Sequence, residues 1–507
     1  MPDYDVIVIG AGNGGLGASA KLAKHGAKVL CLEQHNLPGG FGSSFVRGRF
    51  EFETSLHILC DYGSKDNPGN VRKFLDDIGL KLELHPVPDA YRFILEEEGI
   101  DVILPPGVYE YIEAVEREAP GSRKEMTRYF ELCKEVLDAL NYLAESKGNP
   151  DKKLLRTKYA NFLKTGAYTA KEVTDKFNFS RRAKNLLYPY WLNFGPPMSR
   201  LNFTIWAAFL YKYMTMGGYL PKNRSHEFMA ALQARAEELG AEFLFNTKVE
   251  KIIVKNGKVS GVETADGETI TAHHIICNAS PTLAYNKLIW PKNEVPEIAY
   301  KYVNARRHGV GVFVVYMGLD APPEEIGLTT YGYVVGPHAD TEKLYESFYK
   351  PETPVIQATT CLNLALPECS PPGTTILSMT CLMRPEAWEN VKPQDYFETK
   401  TKMADGLITQ FERGTKLSIR KHIEEIEIST PETYARYTGT YNGIIYGYEM
   451  EPWDSVIPRM LSIQDEKYID GLYFAGGFSF RALGYSSSLL SGQTTALLTL
   501  KEMGVEV

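Results

Sequence analysis

An α/β fold is predicted for this chain, and three segments predict it: a β–α–β unit at the N-terminus, an antiparallel meander over residues 249–277, and a strand running into a helix after residue 471. The first is the most specific. An apolar run, Tyr4 to Ile9, meets Gly10, Gly12 and Gly15, an amphipathic stretch follows, and the next apolar run, Lys28 to Leu32, ends in Glu33. Strand, glycine turn, helix, strand and acid, in that order, form a dinucleotide-binding fingerprint in its proper context. Gly10 permits a tight turn, Gly12 lets backbone N–H groups approach a pyrophosphate, and Gly15 lets the helix lie against the strand. Glu33 is placed to accept hydrogen bonds from ribose hydroxyls. Asn13 and Gly14 in the turn and Gln34 beside the acid complete this set of candidate cofactor contacts.

The second segment reads as a helix from Glu227 to Leu239, closed by Gly240, then three strands: Val249 to Val254, Lys258 to Thr264 and Ile270 to Cys277. Asn256-Gly257 and Asp266-Gly267 between alternating runs are hairpin signals. The third runs from Gly471 through Ala475-Gly476-Gly477, then Leu483-Gly-Tyr-Ser-Ser-Ser488, into a helix reaching Leu500. A helix start offers unpaired N–H groups and a positive dipole end to an anionic group.

Six residues after Glu33 comes Gly39-Gly40-Phe41-Gly42-Ser43-Ser44, which a plain nicotinamide domain does not need. With Val29 to Glu33 before it, this stretch resembles the FAD-binding signature of the flavin amine oxidase and phytoene desaturase superfamily. The resemblance implies FAD as cofactor, held by Gly39, Gly40, Phe41, Gly42, Ser43 and Ser44 beside the fingerprint. The superfamily carries a similar meander, in which the position matching Val249 meets the adenine through its backbone. Its C-terminal block resembles Gly471 to Ser488, implying flavin contacts at Gly476, Gly477, Gly484, Ser487 and Ser488.

Ser44 to His57, and Tyr434 to Gly439 with Gly443 and Tyr446-Gly447, resemble the corresponding blocks of phytoene desaturases, carotenoid isomerases and retinol saturases. The likeness runs in order through essentially the whole chain. Three departures stand out: Glu53-Thr54-Ser55 replaces the family's Asp-x-Gly; Lys222-Asn223-Arg224 follows Tyr219-Leu-Pro221 where a Gly-Gly pair is usual; and Gly477 stands where many amine oxidases carry an acid.

The expected architecture is therefore a Rossmann-type FAD-binding domain with a β-meander, built from residues 1–82, 220–282 and 456–507. A discontinuous α+β substrate domain, a sheet roofed by helices, takes residues 83–219 and 283–455. Residues 83–219 read as largely helical, with a polar helix over Arg123 to Leu143, a basic patch from Lys152 to Lys158, and a dense aromatic stretch from Leu186 to Tyr219. That stretch holds Tyr188, Tyr190, Trp191, Phe194, Phe203, Trp206, Phe209, Tyr211 and Tyr213, and three uses compete for it: core packing, the wall of a tunnel for a long apolar ligand, or contact with a membrane surface.

Composition narrows the function class. A formal net charge of -8 argues against nucleic acid as a partner. The N-terminus has no basic, apolar leader, and no apolar run reaches the roughly 18 residues of a membrane span. Seven cysteines without a C-x-x-C pair read as reduced packing residues of a cytosolic protein, and metal-ligand spacing is absent, His273-His274 included. The localisation expected is cytoplasmic; peripheral membrane contact and the oligomeric state are left open.

As the resemblance implies, the chemistry is hydride or electron transfer at flavin N5 to or from a C=C bond of a hydrophobic carotenoid, retinoid or unsaturated fatty acid. One fingerprint means no second, built-in nicotinamide site, so an external electron carrier is expected unless the reaction is redox-neutral. A reductase also needs a proton donor. His57 is the first candidate for that catalytic role, ahead of Tyr213, Tyr219 and Tyr485. Two other readings share the FAD segments. A flavin amine oxidase would attack a C–N bond, but its aromatic cage and lysine are not identifiable here. A lipid-binding protein of the Rab GDP-dissociation inhibitor type would have a degraded fingerprint, whereas this one is intact.

Overall fold

The computed structural model describes residues 2–88, 91–146, 149–351, 356–462, 467–479 and 484–506; Leu483 of the C-terminal motif lies outside them. An eight-stranded sheet carries the fingerprint. Strand Tyr4–Ile9 pairs in parallel with Val29–Leu32 on one side and Thr269–Cys277 on the other, and helix Asn13–Lys24 crosses between the first two. The meander forms as its turn residues predict, with Asn256 and Gly257 both at positive φ between Val249–Lys255 and Lys258–Thr264.

Strand Thr269–Cys277 does two jobs. Its first residues, 269 to 271, pair antiparallel with the meander, and its later ones pair in parallel with Tyr4–Ile9 and with Leu472–Phe474. It therefore delivers the residue after it, Asn278, to the tip of the first strand, where the Asn278 N–H donates to Ile9 O at 2.9 Å.

The second sheet has seven strands, in the order Ile423–Ser429, Gly311–Leu319, Thr375–Met383, Gln357–Cys361, Gly332–Gly336, Tyr91–Leu95 and Ile100–Leu104. One face buries Phe313, Val315 and Met379 against Leu407 and Phe411 of helix Tyr396–Thr415. The other face, through Val312, Val314 and Ile376, joins the large core of helices Val108–Glu118, Arg123–Glu145 and Phe203–Met216. Residues 83–219 are thus less uniformly helical than their pattern predicts. Leu84–Pro86, Tyr91–Leu95 and Ile100–Leu104 are strands, short alternating runs whose pairing partners lie more than a hundred residues away or in the adjacent hairpin.

The aromatic stretch is mostly core. Tyr190, Trp191, Phe194, Phe203, Trp206 and Tyr213 are buried, and their polar atoms are used internally, as where Trp206 Nε1 donates to Tyr129 Oη at 2.8 Å. Of the nine aromatics named above, Phe209 alone lines the main cavity. Six of the seven cysteines are buried, and Cys60 is partly so.

Candidate functional site

A single cavity of about 1820 Å³ runs from the end of the fingerprint strands to the helical layer. At one end lie Glu33, Gln34, Thr247 and Val249. Glu33 Oε2 accepts from the Ala11 N–H at 2.7 Å and Oε1 from the His35 N–H at 2.8 Å, so the acid is held rigidly at the strand tip. Next comes a cradle of Gly10, Gly12, Asn13, Gly14, Gly476 and Gly477. Here backbones meet without side chains between them: a Cβ on Gly14 would lie 2.8 Å from Gly476 Cα and 2.5 Å from Asn278 Oδ1. Asn13 Oδ1 is buried and has no hydrogen-bond partner in the protein. A bare backbone concavity at a helix start suits a phosphate-bearing group, which accepts from backbone N–H groups, so the residues present fit a dinucleotide.

The cavity then passes Gly39, Gly40, Phe41, Ser43 and Ser44 on one side and Gly484, Ser487 and Ser488 on the other. Gly39 sits at φ +121°, a conformation only glycine adopts readily. Helix Tyr485–Glu502 starts here with Gly484 as its N-cap and no side chain capping it, leaving its first N–H groups directed to the cavity end. Tyr485 Oη bonds Phe41 O and lies 2.9 Å from Ser55 Oγ, which ties the two sides together. Gly15 and Gly42 are not in the wall. Gly15 lets helix Asn13–Lys24 touch Gly10, and Gly42 packs against Met229.

Beyond the cradle stands His57, with Nδ1 3.4 Å from Thr360 Oγ1 and Nε2 3.5 Å from Thr380 Oγ1. Burial lowers its pKa to about 4, so the imidazole is neutral through the physiological range. Tyr446 and Tyr91, also in the wall, are held protonated by burial. Tyr213 and Tyr219 do not reach the cavity; Tyr219 packs edge-on to Tyr62. The channel continues between Leu137, Leu140 and Leu143 of one helix and Ile205, Ala208 and Phe209 of another. The exposed Glu145 and Leu461 are also in its lining, and Glu145 is close in sequence to the exposed Lys152, Lys153, Arg156 and Lys158.

Two of the three departures noted in the sequence meet in space. Glu53, only 2 % exposed, accepts from the Ser225 N–H at 3.2 Å and from Ser225 Oγ. Arg224, at φ +75°, reaches Glu51 Oε2 at 3.3 Å. The acid that replaces a smaller residue at 53 thus caps the helix whose first turn replaces a glycine pair. Ser225 Oγ also donates to Ser43 O at 3.3 Å, linking this cap to the cradle. Burial raises the Glu53 pKa to about 7. The folded state therefore holds a proton that the unfolded chain has released, and stability falls as pH rises from the ordinary carboxylate value through 7, by about 3 kcal/mol in all. Glu53→Gln should flatten that slope: the fall in Tm between about pH 5 and 8 should be visibly smaller in the variant, and equal slopes would refute the assignment.

A profile of the family described as "Flavin containing amine oxidoreductase" matches residues 14–496. The chain belongs to that family. Its cofactor is accordingly FAD, and its class is that of FAD-dependent oxidoreductases and isomerases. Among curated relatives, the chloroplastic prolycopene isomerase of Daucus carota is 25 % identical over 99 % of this chain and 81 % of its own length. The all-trans-retinol 13,14-reductase of Danio rerio is 25 % identical over 98 % and 86 %. A solved putrescine oxidase, redesigned in its cofactor binding, superposes with a TM-score of 0.66 at 14 % identity, covering 98 % of this chain and 99 % of that one, which is a likeness of fold.

Sequence reasoning missed Asn278. Its side chain stands among Gly10, Gly12, Gly14 and Gly476 and donates from Nδ2 to Gly10 O at 3.3 Å. The one available signal was its place directly after the last meander strand. Among the described residues no group of three His, Cys, Asp or Glu side chains could hold a metal, and no helix is long and apolar enough to cross a membrane.

Proposed function

We propose that this chain uses FAD to isomerise, saturate or desaturate a C=C bond of a long apolar lipid, of the carotenoid, retinoid or unsaturated fatty acid class. The observation that carries this reading is the continuity of the cavity. Ligand pockets run to about 1,000 Å³ at most, and this one, at about 1820 Å³, has room for a dinucleotide and a long hydrocarbon end to end. The names of the Daucus carota and Danio rerio relatives, a prolycopene isomerase and an all-trans-retinol 13,14-reductase, support the same reading.

FAD, when bound, supplies hydride or electron transfer. The protein's own residues do the rest. Gly10 to Gly14, Gly476 and Gly477 cradle the pyrophosphate, Glu33 and Gln34 take the ribose, and Val249 borders the adenine. Gly39, Gly40, Phe41, Ser43 and Ser44 and the start of helix Tyr485–Glu502, with Gly484, Ser487 and Ser488, border the flavin ring. A helix start favours negative charge beside it, which eases reduction there. The apolar walls exclude water and keep a polyene extended. His57 faces the bound lipid as a neutral hydrogen-bonding group, suited to a reaction that moves no net proton; a reductase would draw its proton from a protonated phenol such as Tyr446 or Tyr91.

The test is anaerobic photoreduction of the purified protein followed by a panel of unsaturated lipids, read by visible spectrum and mass spectrometry. Reoxidation of the flavin by one lipid identifies a reductase, and moved double bonds with the flavin still reduced identify an isomerase. If neither mass nor double-bond position ever changes, the reading fails; peroxide released with amines would replace it by amine oxidation.

A further inference from the structure

Helix Phe203–Met216 contributes to the cavity wall a single stripe: Ile205, Ala208, Phe209, Lys212 and Met216. The spacing is that of one helix face, and four of the five side chains are apolar. The exception is an ammonium. Lys212 Nζ lies 3.0 Å from Asp61 Oδ2, with 22 % of its side chain exposed. An ammonium set into an apolar wall is costly unless it has partners for its charge.

Asp61 pairs with this lysine's charge but occupies only part of its donor capacity. Its carboxylate already accepts from Asn70 N at 3.0 Å and Asn70 Nδ2 at 3.2 Å, capping helix Asn70–Ile78. Those N–H bonds leave its negative charge in place, so Asp61 and Lys212 form an ion pair within the wall. Lys212 in turn has three donors, and Asp61 takes the one bond in which its side chain is engaged. Lys73, one turn into the Asp61-capped helix, adds a second ammonium to the same wall. Asp61 is the negative charge beside Lys212 in the wall, while His57 and Cys60, also in the wall, carry no charge at neutral pH.

We infer that Lys212 anchors an anionic end group of the lipid, a carboxylate or a phosphate ester, while the hydrocarbon lies along Phe209, Ala208 and Ile205. This rests on the lipid reading above and narrows it. A carotene has nothing for the ammonium to bind and a retinol has only a hydroxyl, whereas an unsaturated fatty acid or a prenyl phosphate uses both the charge and the apolar stripe.

The experiment titrates the FAD-loaded protein with oleic acid, methyl oleate, farnesyl phosphate, farnesol and lycopene, following the visible flavin spectrum. One or both anions should bind at least about tenfold tighter than their uncharged counterparts, the expected size of a charge-assisted hydrogen bond in a poorly hydrated site. Which anion gains tells carboxylate from phosphate. Lys212→Gln should abolish the preference and Lys212→Arg should keep most of it, with flavin content unchanged in both. The double variant Asp61→Asn, Lys212→Gln removes the pair without stranding a buried charge, and should bind methyl oleate as the native chain does while losing the preference. Equal affinity for acid and ester, or a preference that survives Lys212→Gln, overturns the inference. If lycopene alone perturbs the flavin, the anchor fails and the lipid reading stands; if no lipid does, both fail.

Discussion

Gly14→Val should give a folded protein that purifies without flavin. Gly14 lies in the first turn of helix Asn13–Lys24, so its backbone is ordinary and a side chain costs nothing in conformation. What it costs is space, because even the first carbon would fall 2.5 Å from Gly476 N and from Asn278 Oδ1. Strand ends from three parts of the sequence converge there, and parting them widens the cradle proposed for the pyrophosphate. We expect FAD affinity to fall by at least about 100-fold, about 3 kcal/mol, measured by flavin released on dilution, with the far-ultraviolet circular dichroism unchanged. Gly14→Ala should fall between the two, which separates graded crowding from a failure to fold. Full flavin occupancy in the valine variant would mean that this turn does not carry the cofactor.

Ala208→Trp should separate flavin binding from turnover. Ala208 is 6 % exposed and stands in the channel stripe between Ile205 and Phe209, away from the glycine cradle. An indole there fills the passage between the two helices, so a lipid cannot extend past it. Turnover of a long polyene should drop by about 100-fold or more, about 3 kcal/mol in the transition state, while flavin content and the photoreduction spectrum stay as in the native protein. Unchanged turnover would show that the substrate takes another path.

Much of the cofactor half was legible because its signals are local. The glycines of residues 10–15 and the acid at 33 are close in sequence, and Asn-Gly and Asp-Gly turns carry their own geometry. The strands over residues 84–104 were not legible in the same way. They are short, and their pairing with Gly332–Gly336 and Tyr219–Pro221 depends on partners distant in the chain. The aromatic stretch was ambiguous for a related reason. Tyr190, Trp206 and Phe209 are alike in a sequence, and only tertiary packing, of Tyr190 against Tyr111 and Tyr213 and of Trp206 against Tyr129, buries the first two and leaves Phe209 on the channel. Glu53 and Arg224 read separately as departures from a pattern; in space they belong to one cap, through Ser225 and Glu51.

The sequence alone determined the β–α–β unit, the meander, the dinucleotide and the family, since periodicity, turn chemistry and glycine spacing act over a few residues. The tertiary structure decided what those elements enclose: that Asn278 completes the cradle, that His57 is half-buried and neutral, and that Lys212 faces an apolar channel. A cavity is a relation among surfaces brought together from the whole chain, and burial, which sets both its charge states and its ligands, exists only once they have met.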